Sequence, residues 1–156
     1  MTKEERWKYI LMGLIVVYVI VVFVYTSGSD KPFSAVKKQV EKTIDTGEMQ
    51  DVSERGLKRY YGLNSADYDG VMLYISDNSM SAQEVLLVKV KDSSQAGEVE
   101  AAVTERLKNR ENVFAGYAPD EVKLLKSAER STRGDYIFLA VMTDAQKYKK
   151  AFSKSL

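Results

Sequence analysis

Residues 71–91 read VMLYISDNSMSAQEVLLVKVK, and the fold class turns on how this stretch is parsed. Val71-Met72-Leu73-Tyr74-Ile75 is a short unbroken apolar run bounded by turn residues, which reads as a buried strand. Asp77–Ala82 supplies a turn. Glu84–Lys91 reads as the returning strand, with Lys89 and Lys91 alternating with Val88 and Val90. A second pair of strands is expected near Ser127–Thr132 and Tyr136–Met142, joined by the tight turn Arg133-Gly134-Asp135.

Helical patterns surround the two hairpins. Phe33, Val36, Val40 and Ile44 follow the spacing of one helical face, with Gly47 as the stop. A second helix is expected from Ser53, as N-cap, to about Tyr61, with Gly62 ending it. Ser94–Asn112 carries Val99, Val103 and Leu107 on one face, and Pro119–Leu125 adds a short helix beyond the break at Gly116-Tyr117-Ala118. A last helix, capped near Thr143 or Asp144, presents Ala145, Tyr148 and Phe152. The order αα-ββα-ββα predicts an α+β domain: a four-stranded, mostly antiparallel sheet with helices packed on one face. No sequence repeat accompanies the repeated ββα order.

Upstream lies a different kind of segment. Tyr9–Tyr25 reads YILMGLIVVYVIVVFVY without one charge, and as a helix it spans roughly 25 Å, close to the hydrocarbon thickness of a bilayer. Trp7, Tyr9 and Tyr25 stand where interfacial aromatics belong. The run is longer than the core of a cleaved signal peptide and ends in bulky Phe23 and Tyr25, which favours an uncleaved transmembrane signal anchor. The organisation expected is a cytoplasmic tail (1–8), the anchor (9–25), a linker (26–32) and one extracytoplasmic domain (33–156). Orientation rests on the tail: Lys3, Arg6, Lys8 and the amino terminus resist translocation, whereas Thr26–Asp30 carries no cation. The chain is therefore expected at the cell membrane as a single-pass protein.

Composition excludes more than it supplies. There is no Cys and no His among the 156 residues, which removes disulfides, Cys–His nucleophiles and the usual zinc ligand sets. From Ser27 onward 20 cations face 20 acids, so no net field draws nucleic acid to the domain. No cofactor or metal is implied.

Tyr60-Tyr61-Gly62-Leu63, Ser79–Lys91, Phe114-Ala115-Gly116-Tyr117, Pro119 and Gly134-Asp135-Tyr136-Ile137 together form an ordered set of short motifs. In that order they resemble the bacterial domain-of-unknown-function family 4358. The likeness runs in order over about residues 33–156. Its members look like small secreted, lipid-anchored or membrane-anchored proteins of Gram-positive bacteria. The resemblance implies no catalytic residue, cofactor or substrate. Asn112 and Asn64 depart from the Gln and acid common at those positions.

Candidate sites follow from residue chemistry. Asp67-Tyr68-Asp69-Gly70 places two carboxylates beside a glycine turn, too few oxygens for an EF-hand loop and better suited to accepting backbone N–H groups. Ser79 and Ser81 would need Lys89, Lys91 or a carboxylate as base to act as nucleophiles; local turn bonding explains them more simply. Tyr60, Tyr61, Tyr68, Tyr74 and Tyr117 could line a cleft for a peptide or carbohydrate, against the alternative of rings packed in the core. The Arg133-Gly134-Asp135 tripeptide is accounted for by its hairpin apex. Lys147, Lys149 and Lys150 could touch anionic lipid or form a solvated helix face.

These features predict a non-enzymatic binding or accessory module for a protein, peptide or envelope component, with Tyr60, Tyr61, Tyr68, Tyr117, Asp67, Asp69, Ser79 and Ser81 as its ligand-binding residues. Two alternatives stand beside it. One is an envelope hydrolase with Asp67 and Asp69 as its acid–base pair. The other is a structural subunit of a membrane complex recruited through the transmembrane helix.

Overall fold

Alternation along three apolar strands organises the whole domain. The structure, a computed structural model, describes residues 3–26, 31–45 and 47–156. Its elements are α1 (Lys3–Thr26), α2 (Phe33–Glu41), β1 (Met49–Asp51), α3 (Ser53–Tyr61), β2 (Gly70–Ser76), β3 (Glu84–Lys89), α4 (Ala96–Phe114), α5 (Pro119–Lys126), β4 (Glu129–Arg133), β5 (Tyr136–Val141) and α6 (Ala145–Ser155). The strands form one sheet in the order β1-β2-β3-β5-β4, antiparallel throughout.

The α+β class and both hairpins stand as expected, but three details differ. The sheet has five strands, not four, because Met49–Asp51 pairs with β2, Met49 opposite Ser76. With one buried residue in three, β1 is too short to show a period. The element order is correspondingly longer than αα-ββα-ββα. Helices also cover both faces rather than one. Leu73, Leu86, Val88, Ile137 and Leu139 meet α3, α4 and α5. Met72, Val85, Leu87, Phe138 and Ala140 meet α2 and α6. A strand apolar at every position must be covered twice, and the continuous runs in β2, β3 and β5 impose this arrangement.

Local chemistry sets the boundaries. Gly62 adopts φ +72°, the left-handed conformation that ends α3 without a Cβ clash. Ser53 is not an N-cap but the first residue of α3; its hydroxyl accepts from Leu73 N–H at 2.9 Å and ties the helix to β2. Helix α2 stops at Glu41 and unwinds through turns at Thr43 and Ile44, before reaching Gly47.

Helix α1 contains the stretch expected to be the anchor. Its window Arg6–Phe23 has a mean hydropathy of 1.9 and is wholly unburied, so it is long and apolar enough to span a membrane or to act as a signal sequence. Residues 27–30 of the expected linker, and residues 1 and 2 of the tail, lie outside the described residues. Where the linker ends the chain joins the sheet at one end: Tyr136 Oη donates to the Lys31 carbonyl at 2.8 Å, and the Phe33 ring lies against Gly70.

At Gly70 a Cβ would sit 2.2 Å from the Phe33 ring. Gly70→Ala should therefore destabilise the detergent-solubilised protein by about 1–3 kcal/mol in thermal or urea unfolding. Because Phe33→Ala vacates the same space, the double variant should lose less than the sum of the single losses. Strict additivity would show that the ring does not occupy this space.

Candidate functional site

The densest polar chemistry lies at the opposite end of the sheet, where β3 begins. Glu84 shares its strand face with Leu86 and Val88, so its carboxylate points into the core beneath α4, 3 % exposed. On α4, Val99 and Val103 point into the same core. Arg106 and Arg110 continue their stripe at three- and four-residue spacing. Arg106 consequently lies over Glu84: Nη2 donates to Oε2 at 2.7 Å and Nε at 3.2 Å. The hydroxyl of Tyr61, from the end of α3, donates to Oε1 of the same carboxylate. The Tyr60 ring lies under the Arg106 guanidinium, 4.8 Å from its carbon to the ring centroid.

One turn further along α4, Arg110 Nη2 donates to the Ser81 carbonyl at 2.7 Å, and its guanidinium carbon lies 4.5 Å from the Phe114 ring centroid. Arg110 Nε is buried without a hydrogen-bond partner. From α5, Glu121 Oε2 accepts the Ala82 N–H at 2.6 Å. The β2–β3 loop is thus held from two helices. Among the described residues outside α1, the exposed large hydrophobics are Met80, Val113 and Tyr117. Met80 adjoins Ser81, and Val113 and Tyr117 flank Phe114, whose ring is 5.6 Å from that of Tyr117. All three gather around Arg110.

The electrostatics follow from burial. Loss of water, reinforced by the Glu84 charge, pushes the Tyr61 phenol well above its usual pKa. Burial would lower the pKa of Arg106, but Glu84 attracts the cation strongly enough to raise it. Arg110 is held below its usual value by burial and then by repulsion from Arg106.

The tyrosine set divides. Tyr60, Tyr61 and Tyr117 meet at this end with Ser79 and Ser81. Only Tyr60, half-buried, and Tyr117, 53 % exposed, have open surface, while Tyr61 is core. Tyr68 is buried at the other end of the sheet, beside exposed Asp67 and Asp69, whose N–H donates to the Lys89 carbonyl at 2.8 Å. Tyr74 faces α2, with its hydroxyl on Glu41 at 3.1 Å. No single tyrosine-lined cleft forms from these residues. Lys89 and Lys91 lie at the far end of β3 from Ser79 and Ser81; Lys91 Nζ donates to the Ala66 carbonyl at 2.8 Å, so neither lysine serves those hydroxyls. Among the described residues no group of three or more acids could hold a metal ion.

Sequence reasoning missed Glu84, Arg106, Arg110 and Glu121. The signal existed for three of them: Glu84 keeps step with Leu86 and Val88, and the arginines keep step with Val99 and Val103.

Fold and site define an α+β domain with a two-faced antiparallel sheet and a buried Glu–Arg–Tyr junction, carried behind an N-terminal apolar helix. Residues 42–142 match the family described as Domain of unknown function (DUF4358), and the chain belongs to that family. No curated protein and no solved structure matches it.

Arg106→Met would strand the Glu84 charge in the core and should cost about 3–5 kcal/mol. Adding Glu84→Gln should recover part of that loss in the same unfolding assay; no recovery would separate the two residues. Alkaline pH offers an independent check. Burial first, then neighbouring carboxylates, raises Tyr74 and Tyr136 from 10.0 to about 12. The folded state thus holds these protons more tightly, a contribution complete below pH 10 and lost as pH rises toward 12. Stability should fall across that window, with phenolate absorbance at 295 nm rising in step.

Proposed function

We propose that the protein is a single-pass, membrane-anchored binding module that recognises a protein or peptide through the end of its domain remote from the anchor. In this reading α1 crosses the membrane with its N-terminus cytoplasmic, and residues from about 30 onward lie outside the cytoplasm. The chain joins the sheet at Lys31 and Phe33, beside Tyr136 and Gly70. The Arg106–Arg110 end therefore points away from the bilayer.

The observation that carries the reading is the gathering of Met80, Val113 and Tyr117 around two arginines and Tyr60. Solvated surfaces scatter single apolar residues. Here the three exposed ones outside α1 among the described residues share one end, beside Arg and Tyr, the residue types that dominate binding hot spots. The holding of the β2–β3 loop by Arg110 and Glu121 favours binding further, because a surface fixed in advance loses less entropy on association. Asp67 and Asp69 are neighbours on one exposed turn, so this pair lacks the opposition across a cleft that paired-carboxylate chemistry needs.

Crosslinking capture from native membranes tests this. Met80→Ala with Tyr117→Ala should lose the partner at least tenfold while the unfolding midpoint stays unchanged, since both side chains are exposed. Tyr61→Ala should instead lower the midpoint. Replacing Tyr9–Tyr25 with poly-Leu should leave capture intact. Capture that survives the double substitution, or that disappears with the native span, would refute the proposal.

A further inference from the structure

A second surface carries chemistry of another kind. Helix α6 buries Ala145, Tyr148, Phe152 and Ser155 and turns Lys147, Lys149, Lys150 and Lys154 away from the core, with no acid anywhere in the helix. Lys149 is occupied by Glu129 of β4 at 2.8 Å. The other three, joined by Lys126 from the end of α5, line one open groove of about 940 Å³. All four are exposed, and none forms an ion pair among the described residues. Two acids touch the groove. Glu129 is already neutralised by Lys149, which leaves Asp144 alone against four lysines.

We infer that this groove binds an extended polyanion bearing phosphate or phosphodiester groups. Lys147, Lys150 and Lys154 climb the helix in steps of three and four residues, roughly 4.5 and 6 Å. Such a ladder suits a chain whose anionic groups recur along its length better than one isolated carboxylate. The lysines act as compact point charges on flexible stems, tolerant of register. The lining holds no aromatic ring and no arginine, so it has neither the stacking platform nor the planar fork by which single-stranded nucleic acid is gripped. The Lys126–Lys147 end lies where β5 gives way to α6, at the sheet end opposite Lys31. The Lys154 end runs back toward the attachment, since the Phe152 ring packs on Tyr136, which bonds Lys31. A polymer free in the surroundings reaches the whole ladder, whereas headgroups of the protein's own bilayer reach only its Lys154 end.

The test uses the full-length chain in phosphatidylcholine nanodiscs, titrated with sodium polyphosphate of defined length. Lys147→Gln, Lys150→Gln and Lys154→Gln together should weaken binding at least tenfold and reduce the slope of log affinity against log salt by roughly one per lysine. Lys38→Gln, Lys58→Gln and Lys108→Gln remove the same charge elsewhere and should leave affinity within twofold. Equal weakening by both triple variants would mean net charge alone is read, and would overturn the site. Failure of polyphosphate to bind near physiological salt would do the same. In discs containing phosphatidylglycerol the difference between wild type and the α6 variant should persist. Its disappearance would hand the groove to the lipid headgroups and overturn the assignment to a polymer.

Discussion

The bond between Arg106 and Glu84 constrains more of this domain than any other single contact. An unpaired carboxylate at the start of a core strand would cost several kcal/mol. The sequence therefore tolerates Glu84 only if a cation lies directly above it. That requirement fixes the axial position of α4 on the sheet. The Tyr61 hydroxyl on the second oxygen fixes the end of α3 against the same point. With α4 so placed, Arg110 necessarily lies over the β2–β3 loop and takes the Ser81 carbonyl. Loop shape and the surroundings of Met80 and Tyr117 are consequences of where one buried charge is neutralised.

The remaining architecture separates two kinds of surface. Along β2, β3 and β5 both residue parities are apolar, so the sheet is closed off by α3, α4 and α5 on one face and by α2 and α6 on the other. Function is thereby pushed to the ends of the sheet and the outer sides of the helices. One end receives the chain from the apolar helix. The other bears the arginine-centred apolar group. The lysine groove follows the outer side of α6: Lys126 lies within residues 42–142 that match the family, and Lys147, Lys150 and Lys154 lie beyond them.

Legibility in the sequence followed the length and strength of each pattern. The hairpin at 71–91, the stop at Gly62 and the long helix ending near Phe114 were readable because several residues repeat the same message. β1 was not, since three residues cannot display a period. Coverage of both sheet faces was encoded in the unbroken run Tyr136–Val141 but was masked by Lys89 and Lys91, which suggested a half-solvated partner strand. Among the tyrosines, residue type could not separate Tyr61, whose hydroxyl is consumed by Glu84, from Tyr117, which is exposed. Overall neutrality concealed the groove as well: a net charge is a sum, and α6 concentrates lysines that acids elsewhere cancel on paper.

The strand order also sets a timetable. β2 and β3 are joined by a short loop and can pair as soon as Lys89 has been made. The other edge of β3 waits for β5, because Lys89 is matched with Tyr136 and Glu84 with Val141. Two helices and β4 must be synthesised before that edge is covered, and closing such a span is slow relative to local pairing. During this interval the nascent chain holds an apolar strand with one open side, a species prone to pair with its neighbours. The centre of the finished sheet is thus the last part of it to be sealed.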